Sequence, residues 1–174
     1  IHIRLKTTMA EAYRMLGLYQ KAQEHFEEIV RLQRNQSGNA DLDVADKMDL
    51  LGHVYRQRGM FREAENTMLE SLAILEDRLG KDDIRVGNAY NSLGLLYLDR
   101  QEFTKADEYL EKALAIRERI LSPDDNSLTF TLNGLGISRT GQERYQEAEG
   151  YHRRALAIRE KMLDPFHTDI GQST

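Results

Sequence analysis

Apolar positions along this chain recur at helical spacing, and the spacing itself then repeats as a block. Tyr90, Leu93, Gly94 and Tyr97 form one stripe, and Phe103, Ala106, Leu110, Ala113 and Leu114 form a second. Each runs close to i, i+3, i+4, i+7, which places its members on one helix face. The pattern predicts two amphipathic helices joined by a short polar break. The hexapeptide Ala-Leu-Ala-Ile-Arg-Glu occupies residues 113–118 and again 155–160, 42 residues on, with a looser copy at 71–76. The pairs Leu51-Gly52, Leu93-Gly94 and Leu135-Gly136 keep the same step, as do Ala22, Ala64, Ala106 and Ala148 and the aromatic series Tyr19, Phe61, Phe103 and Tyr145.

A fixed period of this length marks an array of stacked supersecondary units. The register divides the chain into repeats at about 1–42, 43–84, 85–126 and 127–168, with 169–174 opening a fifth, all in a single array over 1–174. Gly17 and Gly59 mark the turn inside the first two copies, where Gln101 and Glu143 stand in the others. Between copies, segments 37–43, 80–83 and 122–126 supply Asp, Asn, Ser, Gly and Pro123, residues that stop and cap helices. Pro165 opens the same kind of junction.

Composition narrows the function classes. The 174 residues carry 24 Lys+Arg against 29 Asp+Glu, a net charge of -5, so nucleic acid and anionic membrane surfaces, which need clustered cations, are not the expected partners. With no Cys there is no disulfide framework, thiolate metal site or Cys nucleophile. This composition permits a reducing cytoplasm, the expected location. The longest apolar run, residues 93–98, is far shorter than the ~20 residues that span a bilayer. Opening on Ile1 rather than Met, the chain is expected to be a piece of a longer protein.

Catalytic and cofactor chemistry finds no support. His2, His25, His53, His152 and His167 share no ligand-like spacing. The start of a dinucleotide fingerprint at 134–139 fails because Arg139 stands where its third Gly belongs and no strand precedes it. The Walker and Gly-x-Ser-x-Gly motifs are absent. Asp41, Asp43, Asp46 and Asp49 lack the Gly and closing Glu of a calcium loop and read as a solvated helix start that complements the helix dipole. No enzyme activity, metal or cofactor is expected.

The residue pattern resembles the tetratricopeptide repeat family over essentially the whole chain. The resemblance rests on a Leu-Gly pair, Tyr55 or Tyr97 three residues after the Gly, a turn, an aromatic, an Ala three later and a small residue seven after that (Ser71, Ala113, Ala155). In the first copy Met9-Ala10 stands in for Leu-Gly, with Tyr13 in place. The usual unit of that family is ~34 residues, and the 42-residue period is similar to the kinesin-light-chain-like variety. The resemblance implies an all-α fold, a right-handed superhelical solenoid of four helix pairs plus the start of a fifth. Its concave wall, built from the first helices, is the surface that meets partners.

In that register the inward-facing residues are Thr7, Asp49, Asn91 and Asn133, then Glu11, His53, Leu95 and Ile137. A turn earlier come Arg4, Asp46, Asn88 and Phe130, and a turn later Arg14, Arg56, Leu98 and Thr140. The groove is therefore expected to be charged in its N-terminal half and to mix Asn with apolar residues in its C-terminal half. The resemblance gives Asn91 and Asn133 a role in hydrogen-bonding the backbone of an extended peptide; simple solvent exposure is the alternative. Leu95, Phe130 and Ile137 either pack against the second helices or anchor a ligand. Asn88, Asp49, His53, Arg14 and Arg56 complete the candidate partner-binding set. The family's clamp for chaperone C-termini is poorly matched, because Thr7, Glu11, Thr8, Leu50, Asn88 and Ser92 fill its places.

Two residues break the register: Arg139 stands where Tyr13, Tyr55 and Tyr97 do, and His152 where Phe26, Met68 and Leu110 do. Arg139 is expected to snorkel to solvent and His152 to cover an exposed end. The alternative is a hinge between copies or a polar contact for another domain. The functional expectation is a non-enzymatic scaffold that binds a protein or peptide in the groove. Two others stand beside it. One is a regulatory array contacting the catalytic domain of a larger signalling protein, such as a Ser/Thr kinase or NTPase-type receptor. The other is weak homo-oligomerisation through terminal repeats.

Overall fold

The computed structural model describes residues 2–38 and 41–163, which form eight α-helices. They are α1 (His2–Met15), α2 (Tyr19–Ser37), α3 (Leu42–Gln57), α4 (Phe61–Leu79), α5 (Ile84–Asp99), α6 (Phe103–Ile120), α7 (Ser127–Gly141) and α8 (Tyr145–Leu163). Consecutive helices pair as antiparallel hairpins, and each second helix also packs on the first helix of the next pair. The expected fifth repeat and Pro165 lie outside the described residues.

Local chemistry fixes the ends. Asp41 and Asp83 cap α3 and α5 by accepting from the backbone N–H of Asp43 and Arg85 at 2.7 and 2.8 Å, and Asp125 accepts from that of Ser127 at 2.8 Å. All four hairpins close in the same way. The N–H groups of Leu18, Met60, Glu102 and Arg144 bond the carbonyls of Tyr13, Tyr55, Tyr97 and Arg139, five residues back. The residue before each sits at positive φ: Gly17 at 73°, Gly59 at 72°, Gln101 at 58° and Glu143 at 61°. This is the Schellman stop, which favours Gly because a Cβ crowds the following carbonyl in the left-handed region. Gln101 and Glu143 are exposed. Replacing either with Gly is therefore expected to raise stability by about 0.5–1 kcal/mol, read as a higher denaturation midpoint.

The core spans the hairpins in two clusters joined at α3 and α4 by partly buried Tyr55 and Ile74. Phe26, Ile29 and Val30 of α2 pack with Val44, Met48, Leu51 and Val54 of α3, and Leu93, Leu96, Leu110, Leu128, Leu132 and Leu135 carry the core through α5, α6 and α7. Each such side chain contributes about 1.5–3 kcal/mol of burial, most of it realised only against a neighbour. α3 packs on α5 and α5 on α7, whereas the substantial contacts of α4 and α6 are all with first helices. The first helices thus form the closely spaced inner row of the solenoid, and the second helices the outer row.

A polar ladder ties each first helix to the preceding second helix. Tyr55 donates to Glu27 at 2.8 Å and Tyr97 to Glu65 at 2.6 Å; Arg58 bonds Gln23, and Arg100 pairs with Glu65 at 2.5 Å. The hydrogen bond from Tyr97, and then Arg100, hold the Glu65 carboxyl below its ordinary range despite burial. Burial first, and the adjacent carboxylate second, push the Tyr55 and Tyr97 phenols well above theirs.

Arg139 continues this ladder, which corrects the expectation that it reaches solvent. Its side chain is only 7% exposed, and it binds Asp107, Glu111 (2.6 Å) and Glu147 (3.3 Å). Gln142 joins at Asp107, donating at 2.5 Å. The cation has moved from the position of Arg100 to that of Tyr97, and the neutral donor has moved the other way. His152 is exposed, with its ring against Gly136 and Nδ1 at 3.3 Å from Asn133 Oδ1.

Candidate functional site

The inner row carries the sequence-derived candidates, and the structure divides them by what already occupies their polar atoms. In the N-terminal half the charges are largely spent between repeats. Arg56 pairs with Asp99 at 2.8 Å. Asp46 pairs with Arg85 at 2.6 Å, and Arg85 also donates to the Leu42 carbonyl. The acidic run at 41–49 is thus more than a solvated helix start, since its third member bridges α3 to α5. Arg14 is half-buried and makes no ion pair among the described residues.

Asp49, His53 and Ser92 meet where α3 faces α5. Ser92 Oγ lies 3.0 Å from His53 Nε2, and Asp49 Oδ2 lies 3.4 Å from the same nitrogen. A nucleophilic triad places Ser and Asp on opposite ring nitrogens, so that the base can pass a proton while the carboxylate orients it. Here both compete for Nε2. The cluster has the composition of a triad and the connectivity of a structural contact.

Further along, a buried cation organises the asparagines. Arg117 of α6, 7% exposed, donates to the Ser127 carbonyl at 3.0 Å, to Thr131 Oγ1 at 2.6 Å and to Asn88 Oδ1 at 2.8 Å. Desolvation holds its pKa below the ordinary arginine range, opposed by the charge of Asp125. A guanidinium only donates, so Asn88 must turn its oxygen inward and its amide N–H groups outward on an exposed residue. Thr131, having accepted from Arg117, donates its own proton to Asn91 Oδ1 at 2.9 Å. Asn91 is 8% exposed and half-engaged, so the open solvent-facing side chain considered from sequence is not what forms. Arg117 and Thr131 were not singled out from the sequence, and the repeated hexapeptide does not flag Arg117, because its counterpart Arg159 is exposed.

The C-terminal half is apolar and open. Phe130 is 59% exposed and Ile137 is 53% exposed, so packing against the second helices, one of the two expectations, does not occur for either. Asn133 lies between them on the same face of α7, partly exposed, and Leu95 is partly buried on α5. Phe130, Asn133 and Ile137, spaced i, i+3, i+7, make one strip. The structure therefore brings Asn88, Asn91, Asn133, Phe130 and Ile137 onto neighbouring first helices. It leaves Arg14 separate at the far end and commits Arg56 to Asp99.

An all-α solenoid of hairpins with an open inner row has the architecture of a protein-interaction scaffold. The chain belongs to the tetratricopeptide repeat family, whose model matches residues 3–77 and 85–161, each window covering two hairpins. Among solved structures it is similar to BtubC (BKLC) from P. vanneervenii, at 27% identity and a TM-score of 0.84 over 99% of this chain and 68% of that one. It is also similar to a Podosopora anserina kinesin-light-chain-type protein of nearly identical TPR-like repeats (22%, 0.72, 92% and 76%) and to MamA (22%, 0.66, 93% and 81%), two likenesses that bear on the fold alone. No curated protein sequence matches it. Among the described residues no helix is long and apolar enough to cross a membrane, and no group of three or more His, Cys, Asp or Glu could hold a metal ion.

Proposed function

We propose that the inner row binds an extended or helical segment of a partner protein, anchored in the C-terminal half. The observation that carries this reading is the open apolar strip on α7. Phe130 and Ile137 stand more than half exposed on the face that points into the groove, flanked by amide groups that bond a backbone without demanding a particular side chain. An apolar residue of the ligand seats against Phe130 and Ile137. Asn88, held by Arg117 with its N–H groups outward, donates to a ligand carbonyl, and Asn133 offers both donor and acceptor. Arg14, half-buried, supplies attraction for acidic side chains at the other end, weakened by added salt.

The test is a peptide-library selection on the chain beside Phe130→Ala/Ile137→Ala and Asn88→Ala variants. Both first residues are exposed, so the double variant is expected to keep its helicity while losing the enriched motif by tenfold or more in affinity, a loss typical of central anchors. Equal enrichment by the original chain and the double variant would remove the groove from consideration.

A further inference from the structure

The outer row holds a second feature, independent of the groove. In the first and third hairpins a first-helix tyrosine stacks on a second-helix ring. Tyr13 stacks on His25 with centroids 5.4 Å apart, and Tyr97 stacks on Tyr109 at 5.3 Å. Tyr109 also lies against Tyr90, at 6.1 Å. In the fourth hairpin Tyr151 stands at this place, opposite Arg139 in the register. The second hairpin departs: 42 residues before Tyr109 stands Thr67, so Tyr55 has no ring on it among the described residues. The vacated space is real. A cavity of about 390 Å³, open to solvent, lies among α2, α3 and α4, lined by Tyr55, Thr67 and Met48, the counterparts of Tyr97, Tyr109 and Tyr90.

We infer that this cavity is a docking site for a tyrosine side chain of a partner protein, which supplies the ring that Thr67 does not. Aromatic rings prefer stacked or edge contacts at these centroid separations, and a thioether adds a favourable contact at the ring edge. Tyr55 offers the face, and Met48, 1% exposed, forms the floor. A phenol fits better than a plain hydrocarbon ring because the rim is polar: Glu27, Arg31, Asn35 and Glu70 line it beside Arg34, which is engaged with Glu70 at 2.7 Å and with Met48 Sδ at 3.2 Å. The cavity opens between α2 and α4 of the outer row over a floor from α3, away from the strip of Phe130 and Ile137 on α7, so its occupant does not compete with a peptide seated there.

The test titrates N-acetyl-L-tyrosinamide, with N-acetyl-L-leucinamide as control, against the full chain while following the Met48 and Thr67 methyl NMR signals. Saturable shifts with the tyrosine probe, about 3- to 10-fold weaker with the leucine probe, are expected from the worth of one stacked ring. Thr67→Tyr should fill the cavity from within, raise the denaturation midpoint and abolish the shifts; Thr67→His, the pairing found in the first hairpin, provides a second filling variant. Thr67→Ala, which leaves the space open, should bind as the original chain does. Absence of saturable shifts, equal response to both probes, or undiminished binding in the filled variants each overturns the inference.

Discussion

Replacing Arg139 with Leu is expected to destabilise the junction between the third and fourth hairpins by about 3–5 kcal/mol, the cost of leaving a buried charge without its partner. The abandoned group is Asp107, whose side chain is 11% exposed and keeps only Gln142 as a donor. Glu111 and Glu147, about half exposed, contribute little, because water screens them with or without the guanidinium. The ladder also says how to repair the damage. Arg139→Tyr alone should be costly, because a phenol donates one hydrogen bond and brings no charge. Arg139→Tyr with Gln142→Arg recreates the arrangement that Tyr97 and Arg100 make on Glu65 and should recover most of the loss. Denaturation midpoints of the original chain, Arg139→Tyr, Gln142→Arg and the double variant form a double-mutant cycle. Hydrogen exchange over α7 and α8 shows whether the loss is local, as it should be where stability is a sum over neighbouring repeats. A double variant no more stable than Arg139→Tyr would sink the exchange of roles between positions 139 and 142.

That pair also marks the boundary of what the residues disclose unaided. The fold was legible because Leu-Gly, Tyr, Ala and the closing small residue each recur in register, and each recurrence is a packing demand on a single position. Compensation is distributed. Arg139 looks like a flaw when compared only with Tyr97, and becomes a substitution in kind once position 142 is compared with Arg100 and both are referred to a carboxylate on another helix. The candidate site was legible in outline for the same reason and failed in detail for another. Asn91 and Asn133 share a register position, so sequence gives them the same environment. In the structure α7 covers Asn91 and places Thr131 against it, whereas no described first helix lies beyond Asn133. Exposure depends on what the next hairpin contributes, and a single position cannot encode that. The hole beside Thr67 sits between these cases, visible in the register as a missing ring but recognisable as a cavity only once Tyr55 and Met48 are placed around it.

The second large effect concerns the glycines of the Leu-Gly pairs, which occupy one register position and should nevertheless respond differently to the same substitution. A Cβ on Gly94 falls 2.5 Å from Cγ and 2.7 Å from Cδ2 of Leu110, and 3.3 Å from its backbone nitrogen. Leu110 cannot retreat: it is fully buried, branched at the atom in conflict, and closed in on its other side by Gly134. A Cβ on Gly52 meets Met68 instead, 2.6 Å from Cγ and 3.2 Å from Cε. Methionine is unbranched and can re-route around the new methyl. On Gly136 it meets the ring of His152, an exposed side chain free to swing outward. Each Gly→Ala change also gains about 0.5–1 kcal/mol from the helix preference for Ala. Against an overpacking cost of about 1–3 kcal/mol, Gly94→Ala should be clearly destabilising, Gly52→Ala close to neutral, and Gly136→Ala neutral or slightly stabilising. Urea denaturation of the three variants should give midpoints in that order. Three equal shifts would mean that close helix approach, rather than the freedom of the opposing side chain, sets the need for glycine. Combining Gly94→Ala with Leu110→Met separates the two accounts, because a flexible side chain at 110 should relieve the clash only if Leu110 is its source.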